Sequence, residues 1–244
     1  LGASVSVDGR VMACGAPKYA HTSTGAVFVY VDVASADGGS AEYWSHRATL
    51  VPAAAGSQSQ VGQKVAVGRG GAVIVATTLK VKLGGVVVYY ADNATHPWAS
   101  TTWIEQQTLE PFVSGGKVAT FGAMVIEWPL LLVSHTGCID AGCVAVYDLD
   151  SAEGFAAPIQ MLEGQAFTTT SAAQFGAGIA LGTFADGTRL LAVGAPADNG
   201  VAAESGAVYV FRPDINGTWV LATRLGPGVD EALGLHLGSS VAVT

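Results

Sequence analysis

The chain has 244 residues, 11 basic against 19 acidic, a formal net charge of -8 and no basic cluster, so it is long enough for a sizeable core but unsuited to gripping a phosphate backbone. Nucleic acid is therefore not an expected partner. Half the residues are apolar and 12% are charged, yet no uninterrupted apolar stretch approaches the roughly 18 residues of a spanning helix. No membrane insertion by this segment is expected, and strands buried on both faces account for the hydropathy.

In chain order, one pattern of short apolar runs recurs. The first copy opens at Leu1-Gly2 (LGASVSV), turns at Asp8-Gly9, reaches Gly15-Ala16-Pro17, runs GAVFVY from Gly25, and after a long polar insert runs from Trp44 to Leu50. The second opens at Val61-Gly62, turns at Arg69-Gly70-Gly71, carries a worn Ala76-Thr77-Thr78, runs GVVVYY from Gly85, and closes with Trp103 to Leu109. The third opens at Phe121-Gly122, turns at Trp128-Pro129, carries Ser134-His135-Thr136, runs GCVAVY from Gly142, and ends on a Trp-less run at Leu162. The fourth is the least worn: Phe175-Gly176, a turn at Asp186-Gly187, Gly194-Ala195-Pro196, GAVYVF from Gly206, and Trp219 to Leu225. Leu237-Gly238 opens another.

The runs are short, rich in β-branched and aromatic residues and bounded by Gly, Pro, Asp or Asn, so each copy reads as a four-stranded antiparallel meander. The opening glycines stand 60, 60, 54 and 62 residues apart, which sets repeats at about 1–60, 61–120, 121–174 and 175–236, with 237–244 as the first strand of a fifth.

FG, GAP, GAVYVF and W...L in that order resemble the FG-GAP repeat of integrin α-subunit heads. The resemblance covers the whole chain and implies an all-β fold, a β-propeller with one four-stranded blade per repeat. It also implies a ring of seven blades, the remainder supplied by chain outside this sequence. Stacking agrees with the physics, since a lone sheet of this pattern exposes two apolar faces.

Calcium loops of the DxDxDG type, common in such repeats, are not matched. Only 183–188 is long enough for one, and it offers Asp186 as its single carboxylate, where a hard cation needs six to eight oxygens. The five histidines, His21, His46, His96, His135 and His236, fall at different repeat positions without ligand spacing. Neither a cofactor, a metal nor a catalytic residue is expected.

Cys138 and Cys143 flank a short loop between the second and third runs, where antiparallel neighbours meet; a disulfide there would indicate an oxidising compartment, the alternative being two buried thiols. Asn93-Ala94-Thr95 and Asn216-Gly217-Thr218 are N-glycosylation sequons between third and fourth runs. Together these favour an extracellular or cell-surface location. The loops between second and third runs differ completely among copies, which suits a binding surface on matched strands. The face bearing Tyr19, His21, Lys80, Lys82, Asp198 and Asn199 is therefore the expected contact for an extracellular protein or glycan, in a non-enzymatic adhesion or assembly role. The alternative is the propeller of a secreted carbohydrate-active or other hydrolytic enzyme.

Overall fold

The computed structural model describes residues 1–20, 23–33, 43–78, 85–109, 120–138, 140–151, 157–164, 173–199, 203–228 and 234–243. The chain divides into two compact units, Leu1–Pro111 and Phe112–Thr244. The first unit holds β1 (Val5–Asp8), β2 (Val11–Ala16), β3 (Ala26–Asp32) and β4 (Trp44–Leu50) in one sheet, and β5 (Val65–Gly68), β6 (Val73–Thr78), β7 (Gly85–Ala91) and β8 (Trp103–Leu109) in another. The second holds β9 (Phe121–Glu127), β10 (Leu130–His135), β11 (Cys143–Asp148) and β12 (Gln160–Glu163), then β13 (Ile179–Thr183), β14 (Arg189–Ala195), β15 (Ala207–Pro213) and β16 (Trp219–Leu225). Every sheet is an antiparallel meander in sequence order, as the repeat pattern predicts. β1 pairs with β2 of its own sheet.

Two details of the expected register differ. Gly62 donates to the Thr77 carbonyl as Gly176 does to that of Gly194, and Thr77 N–H bonds Lys64 as Gly194 N–H bonds Gly178. Thr77, not Ala76, thus occupies the glycine position of the GAP element. Likewise Thr78 pairs with Gly85 and Ala16 with Ala26, so Gly85 matches Ala26 rather than Gly25. A third difference lies at the end: among the described residues 234–243 no strand forms, and Leu237 makes only an isolated parallel bridge to Gly206.

Within each unit the two sheets pack face to face. Paired residues share a face, and alternation along the strands sends Val11, Ala13, Val27, Val29 and Val31 of the first sheet against Val65, Val67, Ile74, Ala76 and Tyr89 of the second. In the other unit Leu130, Leu132, Val144 and Val146 meet Leu191, Val193, Tyr209 and Phe211. Each fully buried Val, Leu, Ile or Phe among them contributes about 1.5–3 kcal/mol, so these faces are what hold the sheets together. The opposite face of the first sheet is open: Val5 is 54% exposed, Val7 52% and Trp44 43%. Their counterparts Val65, Val67 and Trp103 are at most 5% exposed because the first sheet covers them.

The repeat signature is the interlock between neighbouring sheets. Val61 forms a parallel bridge to Gly25, which sets Gly62 directly over Gly15. A Cβ on Gly15 would lie 1.9 Å from the Gly62 carbonyl oxygen, so the two backbones meet where only hydrogen fits. Leu237, Gly206, Gly238 and Gly194 repeat the arrangement, with 1.8 Å from an added Gly194 Cβ to the Gly238 oxygen. In the third copy Ser134 stands at this position, and its hydroxyl accepts from Ala123 N–H at 2.7 Å and donates to the Gly176 carbonyl. The glycine of the opening pair and the glycine of GAP are thus two halves of one contact.

A second device caps the first strand. Ser4, just before β1, and Ser6 and Asp8 within it alternate along the chain, and their side-chain oxygens accept from the N–H groups of Val65 (3.1 Å), Val67 (3.0 Å) and Gly70 (2.7 Å). Val65 and Val67 are buried, and their N–H groups on the edge of β5 would otherwise lack partners, whereas Gly70 lies in the exposed turn that follows.

Candidate functional site

In an antiparallel meander the β2–β3 connection and its counterparts lie at one end of each sheet, and the first turn lies with the third-to-fourth connection at the other. The expected contact residues belong to the former end. His21, Lys80 and Lys82 fall outside the described residues. Lys18 and Tyr19 are exposed, in a loop tied back by Tyr19 N–H to the Ala16 carbonyl (2.9 Å) and by Gly25 N–H to the Tyr19 carbonyl (3.0 Å). Tyr19 is 47% exposed and packs edge-on against Phe28, with ring centroids 5.2 Å apart. The two rings, with Leu1, Ala16, Pro17 and Lys18, line a cavity of about 500 Å³ that opens onto the uncovered face of the first sheet. Among the described residues Lys18 is the one cation on this wall, and the remaining lining is largely apolar.

In the second unit the corresponding loop carries Asp198 and Asn199. Asn199 is exposed, and its Oδ1 accepts from Glu204 N–H at 2.7 Å, which folds the loop back on itself. Asp198 has a different role from the surface contact expected of it. It is 0% exposed; Tyr209 donates its phenolic proton to Asp198 Oδ2, and Arg224 Nη2 approaches the same oxygen at 3.1 Å. Arg224 Nε also donates to the Tyr209 oxygen at 3.2 Å. Burial, then the hydrogen bond to Asp198, pushes the Tyr209 phenol up to about 12, so it stays a donor at any ordinary pH. Asp198 therefore anchors the loop on β15 and β16. Nothing in a loop sequence announces that its carboxylate will be swallowed by an arginine on the fourth strand, and Arg224 carried no signal of its own.

The β10–β11 loop is closed by the disulfide Cys138–Cys143, Cα atoms 5.5 Å apart. Beside it His135, paired with Cys143 across the ladder, is 2% exposed and lies 4.7 Å from the Phe121 ring. Burial pushes its pKa down to about 4, so it is a neutral core side chain at physiological pH. Cys14 is the free thiol, buried under the GAP turn, and burial pushes it up.

At the other end of the sheets, Asp186 Oδ1 accepts from Thr188 N–H at 2.8 Å, an ordinary Asp-Gly turn. Trp98, a loop aromatic with no place in the repeat, packs under Arg10 (5.5 Å to its centroid) and beside His96, and Arg10 in turn donates to the Asp32 carbonyl at 2.8 Å. Both sequon asparagines, Asn93 and Asn216, are exposed at this end.

The fold and these loops define an all-β repeat protein of four-stranded antiparallel sheets. No family model matches the chain, and no curated protein matches it. Among solved structures it is similar to an engineered GH43 glycoside hydrolase described as displaying both endo-xylanase and exo-arabinofuranosidase activity, at 14% identity and a TM-score of 0.47. The match covers 90% of this chain and 40% of that one, and at this score it carries no argument about chemistry.

Proposed function

We propose that this chain is part of an FG-GAP-type β-propeller that acts outside the cell as a binding scaffold, holding a protein or glycan on its second-to-third-strand loops. The observation that carries the reading is the contrast within each repeat. The strands repeat, and the junction of the opening glycine with the GAP position recurs as Gly15 on Gly62, Ser134 on Gly176 and Gly194 on Gly238, whereas the loops read KYAHTST, LKVKLG, TGCIDAG and ADNGVAAES. Matched cores fix position and unmatched loops supply specificity. The open apolar face of the first sheet supports further sheets from the same protein, seven in all by the resemblance. A disulfide together with two exposed sequons supports the extracellular or cell-surface location.

The second reading is a carbohydrate-active or hydrolytic domain, the class of the solved structure above. Glycoside hydrolysis needs two free carboxyl groups about 5–9.5 Å apart. Asp198 is held by Tyr209 and Arg224 in a structural network, so it is not one of such a pair. Labelled chain applied to an array of immobilised glycans and purified extracellular-matrix proteins tests the reading. Saturable binding without release of product from xylan or aryl-arabinofuranoside is expected. Turnover of either substrate, abolished by one Asp or Glu substitution, would replace the scaffold by the enzyme.

A further inference from the structure

The two sequons occupy the same place in two different repeats, the connection between third and fourth strands. In the second sheet this is β7–β8. There Asn93 is exposed, and its Oδ1 accepts from His96 N–H at 3.0 Å, so the carbonyl half of the amide is held while Nδ2 is left for chemistry. Ala94 and Thr95 are exposed beside it. In the fourth sheet it is β15–β16, a tight turn in which Asp214 Oδ1 accepts from both Asn216 N–H (2.8 Å) and Thr218 N–H (2.9 Å). That carboxylate presents Asn216, Gly217 and Thr218 outward, and the adjoining Ile215 is 99% exposed. The Cys138–Cys143 disulfide is an independent sign of the compartment in which such asparagines are modified.

We propose that Asn93 and Asn216 both carry N-linked glycans, and that these shield the first-turn end of the second and fourth sheets, leaving the second-to-third-strand loops as the contact end. In the step itself, Asn Nδ2 attacks the anomeric carbon of an oligosaccharide carried on a polyprenyl diphosphate. The N–C bond forms as the bond from that carbon to the phosphate oxygen breaks, the lipid diphosphate leaves, and the amide proton passes to a base of the transferase. A branched glycan is large beside the five residues 214–218 and the eleven residues 92–102 that form these two connections, so a partner could not close on the backbone around either asparagine. The inference rests on the extracellular reading above, and it adds which end of the sheets is available there.

The test is the full chain behind a secretory leader, recovered from the secretory lumen of cultured animal cells and treated with a peptide-N-glycosidase in heavy-oxygen water. Both Asn93 and Asn216 are expected to become labelled Asp, and Thr95→Ala and Thr218→Ala each to remove one label only. Lumenal protein bearing neither label, or one alone, overturns the proposal. A second arm separates it from the binding reading: the Asn93→Gln/Asn216→Gln double variant should bind the array within about twofold of the parent. Full labelling with a tenfold or greater loss in that variant would place the working surface at the glycosylated end, overturning the shielding and the loop assignment together while leaving the modification in place.

Discussion

A single methyl group at Gly15 would sit 1.9 Å from the Gly62 carbonyl oxygen, and its neighbours there are backbone atoms that cannot swing aside. Gly15→Ala should therefore cost about 1–3 kcal/mol through overpacking of the sheet junction. Gly56, with open space around the same position, serves as the control, and Gly56→Ala should leave the denaturation midpoint unchanged or slightly raised. Equal midpoints for the two variants would remove the steric account. His135 gives the second residue-scale expectation. Its folded pKa of about 4 lies below the unfolded value of about 6.5, so above pH 6.5 both states are neutral and stability is whole. As pH falls from 6.5 towards 4 the unfolded state takes up the proton first, and roughly 3 kcal/mol is lost. Urea unfolding at pH 7 and pH 4.5 should show this slope, and His135→Phe, which keeps a ring beside Phe121, should flatten it. A slope unchanged in the variant would assign the pH dependence to other groups.

At the scale of elements, the side chains of β1 do for β5 what a neighbouring strand would do in a continuous sheet. Removing both hydroxyls in Ser4→Ala/Ser6→Ala leaves the Val65 and Val67 amides without acceptors, a cost of about 1–3 kcal/mol for each buried donor. Hydrogen exchange at those two amides should accelerate well beyond that of Ile74 and Val75 in the neighbouring strand. Uniform acceleration of all four would mean that the variant merely loosens the unit. The runs of the elements were legible because hydrophobic period and turn residues coincide: Trp44–Leu50, Trp103–Leu109 and Trp219–Leu225 are strands as read. The slip at Gly85 has a physical cause, and the one at Ala76, where no glycine was present to match, is set right by the same hydrogen-bond frame. Pattern matching aligns glycine with glycine, whereas the fold aligns hydrogen-bond positions, and Thr77 and Ser134 fill the glycine position of GAP, with hydroxyls that accept from Lys64 and Ala123 N–H. The burial of Asp198 was illegible for another reason, since its partner Arg224 lies on a strand whose pattern advertises only packing.

At the scale of the molecule, the open face of the first sheet is the feature that most needs a partner. Val5, Val7 and Trp44 occupy positions that the second repeat buries as Val65, Val67 and Trp103, and apolar surface left open promotes association. The chain of 244 residues should therefore self-associate as concentration rises, read by light scattering on a sizing column, and Val5→Thr/Val7→Thr should reduce that association with little change in Tm. A longer form of the protein carrying further repeats should bury both valines and raise Tm. Association insensitive to these substitutions would place the sticky surface elsewhere.

The claim that the loops at one end are the working surface is tested most directly by exchanging the ends. One variant replaces Tyr19, His21, Lys80, Lys82 and Asn199 by Ala, leaving Asp198 in its buried network; the other replaces Arg69, Trp128 and Asp186. On the array of glycans and matrix proteins, the first variant should lose at least tenfold in affinity, with Tm within a few degrees of the parent, since Tyr19 and Asn199 are exposed and surface substitutions cost little. The second should bind as the parent does. Binding that survives the first set and disappears with the second would contradict the assignment.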